Sequence, residues 1–252
     1  MRTIRLLAAL AALPWAAACA GNTLIPEPQR EQIQDDLAGH VRYLAVSVDV
    51  TPFFRDSGKL LLTDQAPDEL DLLDSPEGAP IDPGKPIGVL PPGTRLRIAK
   101  VSFPTAFEVT ARLPLTPRYN PWIYLYPPDD VDQRGRPYIL VLRPDIRTHD
   151  EFLQEVSRYL VADDPTPELA AFPKEIQAAI REKALVAGMT PRQVEMAWGY
   201  PERIHLDGPT RTERWSWPAG KQVGWFSQGK LVGWTDHGKP GGSPPSDGPS
   251  PH

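Results

Sequence analysis

One thiol, five imidazoles and a crowded run of carboxylates are the groups in this 252-residue chain with chemistry to offer. The histidines are His40, His149, His205, His237 and His252. None stands three or four residues from another, so no helical pair of metal ligands of the HExxH kind is present. Asp64, Asp68, Glu69, Asp71 and Asp74 crowd a short stretch, but the calcium-loop spacing with its central glycine is missing. That stretch reads as a solvated acidic loop. His205 and Asp207 beside Gly208 have the composition of a turn as much as of an acid–base pair. No GxSxG elbow occurs. The sequence therefore predicts a protein that is not an enzyme, with no catalytic residue, no metal and no cofactor.

The thiol, Cys19, is placed differently. Arg2 and Arg5 open the chain, Leu6 to Trp15 is largely apolar, and Ala16-Ala17-Ala18 leads into the cysteine. A charged start, a short apolar run and small residues make a bacterial export signal over residues 1–18. The run is well short of the roughly 20 residues that span a bilayer. The junction resembles the lipobox of bacterial lipoproteins, in which the cysteine takes palmitate and other acyl chains and becomes the mature N-terminus. That family usually has Leu where Ala16 stands. The same alanines also fit an ordinary A-x-A cleavage site, which would release a soluble protein. Ala20 in place of Asp implies, by resemblance to the lipoprotein sorting rule, an outer-membrane anchor facing the periplasm. Residues 19–40, with Pro26 and Pro28, read as tether and linker. With no second thiol, the mature chain forms no internal disulfide.

Removing residues 1–18 takes away two arginines and no acids, so the net charge moves from −5 to −7. A nucleic-acid binder would normally show a basic stripe, and this mildly acidic composition argues against one. The 31 prolines are dispersed between apolar runs, which argues against long helices and for many short elements. The length suits two small domains.

Residues 41–145 carry the first. Leu44–Val50, Leu60–Leu62, Leu70–Leu73, Arg95–Val101, Trp122–Tyr126 and Tyr138–Leu142 are short apolar runs bounded by Pro, Gly and Asp. They predict five to seven strands of small antiparallel β structure. Ile87 to Ile98, with Pro-Pro-Gly-Thr at its centre, resembles the core of bacterial SH3-like domains. In residues 146–171, Thr148 and Glu151 have capping-box spacing, and Phe152, Leu153, Val156, Tyr159 and Leu160 mark one face of a connecting helix.

Residues 172–236 predict a second domain. Pro173 opens a helix striped by Ile176, Ile180 and Ala184. Thr190-Pro191 with Gln193 opens the next, and Gly199 and Pro201 stop it, Gly199 as a left-handed helix end. Three apolar runs follow around Trp215, Trp225 and Trp234, the last two joined by a hairpin at Ser227–Lys230. Gly188, Met189, Thr190, Gln193, Val194, Gly199, Pro201, Trp215, Trp217, Gly229, Lys230 and Val232 resemble the pattern of the SmpA/OmlA domain, the family of the lipoprotein BamE. Trp198 stands where Leu is more usual. The resemblance implies an α+β class, with a β-rich, SH3-like domain followed by a two-helix, three-stranded antiparallel BamE-like domain. It also implies an outer-membrane lipoprotein that binds envelope proteins, among them β-barrel assembly components, as an accessory or scaffold. Binding of peptidoglycan through the β-rich domain is the alternative, and inhibition of a periplasmic enzyme a third. Most of the tryptophans are expected in the core. Trp217, Trp225, Tyr200 and Arg203 are the candidate partner-binding residues. Residues 237–252 read as a disordered tail.

Overall fold

The computed structural model describes residues 23–66, 70, 72–75, 78–208 and 212–242. Cys19 and the leader lie outside the described residues, as do Asp68, Glu69 and Asp71. The structure is mostly β, and the expected fold class is not what forms.

The chain opens with a helix, α1 (Glu27–Leu37). The strands β1 (Val41–Leu44), β2 (Val48–Phe53), β3 (Asp56–Thr63), β4 (Gly88–Leu90) and β5 (Arg95–Ser102) follow. A short helix α2 (Ala106–Ala111) precedes β6 (Trp122–Tyr126) and β7 (Tyr138–Val141). Helix α3 (His149–Ser157) leads to β8 (Leu160–Val161). These strands make one eight-stranded sheet in the order β4-β2-β3-β7-β6-β5-β1-β8, mixed because β3 and β7 run parallel.

The sheet must curl. Strands β1 and β2 stand five places apart, about 24 Å on a flat sheet at ~4.8 Å per neighbour. Yet the link from Leu44 to Val48 reaches only about 14 Å when fully stretched. Strands β4 and β5, also five places apart, are joined by an equally short turn at Gly93, which takes φ +86°. A half-barrel satisfies both links. Inside it lie Leu44, Val48, Leu62, Ile98, Ile123 and Leu140, and Ile33 and Leu37 of α1 join them. On its outer face Phe53, Leu61, Ile139 and Trp122 form a smaller cluster, with the Phe53 and Trp122 rings edge-on at 4.9 Å.

Four expectations are corrected here. An SH3-like antiparallel domain is replaced by the mixed eight-stranded sheet. The span 19–40 is not a free tether, because Ile25, Ile33 and Leu37 are buried in the first core. The span 146–171 is not merely a connector. Phe152, Val156 and Tyr159 fill the half-barrel and β8 extends its sheet. Thr148 caps α3 by accepting from Glu151 N–H, while the Glu151 carboxylate turns to Arg147 N–H and leaves the box half-formed.

His149 ties α3 to α1. Its ring nitrogens lie 2.9 Å from Asp150 Oδ1 and 2.7 Å from Asp36 Oδ2, and its backbone N–H donates to Gln29 Oε1. The hydrogen bonds with Asp150 and then Asp36 raise its pKa above 6.5. Its stabilising charge is therefore fully present below about pH 6.5 and is lost as pH rises through the folded-state value. The melting-temperature gap between the parent and His149→Gln should narrow between pH 6 and pH 8.5. A constant gap would show that the charge does not hold α1.

The second unit holds α4 (Thr166–Ala170), α5 (Lys174–Arg181) and α6 (Pro191–Trp198). Pro173 caps α5 instead of opening it, while Thr190 and Gln193 complete the capping box of α6 as expected. The sheet has five strands, not three: β9 (Arg203–Asp207), β10 (Thr212–Ser216), β11 (Gln222–Ser227), β12 (Lys230–Asp236) and β13 (Lys239–Gly242), in a simple antiparallel meander. This overturns the two-helix, three-stranded BamE-like expectation. It also removes four residues from the expected disordered tail. Strand β13 can form because Gly241 lies flat beneath the Trp234 indole, where any Cβ would collide with the ring. Met189, Ile180, Trp198, Trp215, Trp217 and Phe226 fill the core between helices and sheet.

Candidate functional site

The two units meet along a polar seam. Ser47, in the tight link between β1 and β2, donates its N–H to Met196 O at 2.8 Å and its hydroxyl to Ile180 O. Lys183, just past α5, reaches back to Asp49 Oδ2 at 2.8 Å and Asp64 O at 2.9 Å. The Trp198 indole N–H donates to Lys183 O, and that of Trp217 donates to Gly199 O. Asp64 is thus no solvated loop acid. It sits buried at the end of β3, bonded by Tyr159 Oη–H at 3.3 Å, with Gly199 pressed against its carboxylate.

Burial pushes the Asp64 carboxyl up, and the Lys183 and Arg158 charges only partly oppose it. Burial also pushes the Tyr159 phenol well above its ordinary value. Two buried groups held towards neutrality in a cleft would suggest acid–base catalysis. Here they bond to each other, with backbone on one side and leucines on the other. The space beside them is about 30 Å³, the volume of one water molecule. The arrangement fastens two sheets together.

Tyr200 lies over the seam's outer end. It packs against the first core, and Arg158 stacks on its ring at 5.5 Å. With Arg143, Gln154 and Glu155 it borders an open cleft of about 400 Å³. Both arginines are already turned to Glu155, at 3.6 Å and 3.7 Å, so the cleft has little net charge to offer an ionic ligand.

The remaining candidates separate. Trp217 is buried, edge-on to Trp198 at 5.2 Å, and has no surface for a partner. Trp225 is half-buried on the face away from the helices, opposite Arg214 and in line with His205. Arg203 is exposed and pairs with Glu202 at 3.6 Å. It begins β9, a strand that the sequence did not predict. Strand β9 was legible only as the alternation Arg-Ile-His-Leu-Asp, which a turn reading of His205 and Asp207 conceals.

The most distinctive surface is this strand. It lies at the end of its sheet, bonded to β10, and among the described residues no strand covers its other edge. All five residues are exposed, and Ile204 and Leu206 are 58 % and 65 % open. Their cross-strand partners are Trp215 and Glu213, so both point to the face that the helices cover further in. The apolar face of the sheet therefore runs out past its helical cover. The other edges are blunted in the usual ways: β8 has two residues, β4 has three, and β13 carries Pro240. Strand β9 has no internal Pro or Gly, and its charged residues, Arg203 and Asp207, stand at its two ends.

Comparison of the chain with protein-family models, with curated proteins and with solved structures finds no match. Among the described residues no helix is long and apolar enough to cross a membrane, and no cluster of three metal-ligating side chains occurs.

Proposed function

We propose that this chain is a non-enzymatic envelope lipoprotein, anchored at Cys19, that binds another envelope protein by strand addition at β9. The observation that carries the reading is the free edge itself. A partner segment in extended form would complete the ladder through its backbone and lay alternate apolar side chains over Ile204 and Leu206. Such recognition asks for extended conformation and alternating pattern more than for a fixed sequence. That suits an accessory or scaffold for β-rich envelope proteins, among which β-barrel assembly components are the partners proposed. The leader-like start and the lipobox-like junction support the proposed location. Arg203 and His205 lie on the opposite face of β9, where they would meet the polar side of the added strand.

Photo-crosslinking from a probe at exposed Arg203 in the lipidated protein, followed by identification of the captured proteins, tests the reading. Ile204→Lys with Leu206→Lys places edge-blocking charges on the strand and should lower capture by about tenfold, as for loss of a binding hot spot. The melting temperature should hold, because both side chains are already exposed. Undiminished capture by the double variant would remove β9 from the interface.

A further inference from the structure

A second surface, far from β9 in sequence, has a different chemistry. Between β5 and β6 the chain makes helix α2 and an irregular loop, residues 103–121. Phe107 is 79 % exposed, and Leu113, Leu115 and Tyr119 are each about half exposed. Of the exposed side chains between residues 106 and 119, not one carries a charge. The charged residues of the segment, Glu108, Arg112 and Arg118, are all turned partly or wholly inward.

The segment is held rigid from beneath. The buried Arg112 guanidinium donates to the backbone carbonyls of Ser102, Arg118 and Asn120 and to the Ser102 hydroxyl. It lies on the Trp122 ring at 3.8 Å from its centre, and the Trp122 indole N–H fixes Pro117 O. The Thr116 hydroxyl donates to Leu113 O. Leu115 is held at φ +59°, a conformation that a leucine adopts only under constraint, and it points into solvent. The fold thus spends a buried arginine and a strained backbone on presenting apolar side chains outward.

We infer that the Phe107–Tyr119 segment inserts into the surface of the lipid bilayer beside the anchor at Cys19. This rests on the lipid-anchor reading proposed above. Three observations select lipid as the occupant. First, the exposed set carries no charge, and its only side-chain polar groups are the hydroxyls of Thr110 and Tyr119, where a protein interface pairs a polar rim. Second, Tyr119 stands at its margin with Arg118 over the ring at 5.3 Å, an aromatic and a cation of the kind that sit at headgroup level. Third, the segment lies at the anchored end: Phe107 and Glu108 share a groove with Glu27 and Arg30 in the first turns of α1. From Ile25, which is buried in the core, back to Cys19 is six residues, at most about 20 Å of chain. Around that groove Arg30 is outnumbered by Glu27, Glu31, Asp35 and Glu108, so there is no net basic attraction to anionic lipid and insertion is apolar and insensitive to salt.

The test uses the mature chain from residue 19 with Cys19→Ser, held on neutral phosphatidylcholine vesicles by an N-terminal histidine tag and a nickel-chelating lipid. An environment-sensitive dye is carried at Phe107→Cys or Leu113→Cys, and as a control at Lys230→Cys in the β11–β12 hairpin. Blue-shifted emission quenched by brominated acyl chains at 107 and 113, absent at 230 and unchanged in high salt, is the expected result. Unshifted emission at both loop positions on vesicle-bound protein overturns the inference, as does a shift only with anionic lipid. The artificial anchor makes this independent of natural acylation. Radiolabelled palmitate incorporation by the parent, set against Cys19→Ser, tests that separately.

Discussion

Gly199→Ala is expected to unfold at denaturant concentrations that leave the parent folded. Gly199 ends α6 at φ +78° and ψ −171°, a region essentially closed to residues with a Cβ, and entry costs about 1–3 kcal/mol. The added methyl would also overlap Asp64 Oδ2 and lie 3.0 Å from the Asp64 Cβ and Cγ. That carboxyl is buried beside Tyr159 and Lys183 and has nowhere to retreat. Together the two effects reach about 4 kcal/mol, a large share of the roughly 5–15 kcal/mol that holds a domain folded. Gly188→Ala is the internal standard. It has φ +87° and nothing within 4 Å of a new Cβ, so it carries the backbone cost alone. Chemical denaturation should give Gly199→Ala the larger loss by a factor of two or more. Equal losses would mean that contact with Asp64 contributes nothing.

Lys183→Met should cost nearly as much, and its cost should depend on pH. The substitution strands Asp49 and removes the nearest positive charge from buried Asp64. Breaking such a pair from one side costs about 3–5 kcal/mol when both partners are well buried. Both are slightly open here, so the lower end applies. Burial already raises the Asp64 pKa in the folded state, and loss of Lys183 raises it further. A group of this kind favours the folded state below its unfolded value and loses that advantage as pH rises through the folded one. The variant should therefore lie furthest below the parent near neutrality and draw closer to it towards pH 4. Asp49→Leu combined with Lys183→Met should recover part of the loss. A penalty independent of pH would place the effect in packing instead of charge.

Local signals in the sequence reached the local structure. Trp122–Tyr126 forms the strand that its alternation predicts, and Thr190 with Gln193 caps α6 in full. The hairpin at Gln228 and Gly229 forms with both residues at positive φ. What failed was whatever depends on distant partners. The periodicity of β3 and β7 says nothing about their running parallel, because a period of two is the same in either direction. The helix at 27–37 was hidden by prolines that open it at Pro26 and Pro28 instead of breaking it. Strand β13 was hidden in a glycine-rich tail because its glycines make room for Trp234, a reason visible only with β12 in place. Asp64 reads as one of five neighbouring acids until Lys183, more than a hundred residues on, is placed beside it. The same holds for the candidate surfaces. Trp217 has the composition of a binding residue and the position of a core one, while Ile204 and Leu206 look like core and lie open.

The seam also sets when the molecule can come into being. Its bonds join positions 133 and 134 residues apart, Ser47 to Ile180 and Asp49 to Lys183. The half-barrel cannot bury Asp64 until α5 and α6 have been made and have docked. Closure over such distances is slow, since chain entropy is lost long before the contacts return it. A nascent chain ending just past β8 would hold the strands of the first sheet and lack the piece that seals it. Under the export proposed above that delay would be useful: the chain would stay threadable during translocation, and residues of α5 and α6, made later, would lock those made first.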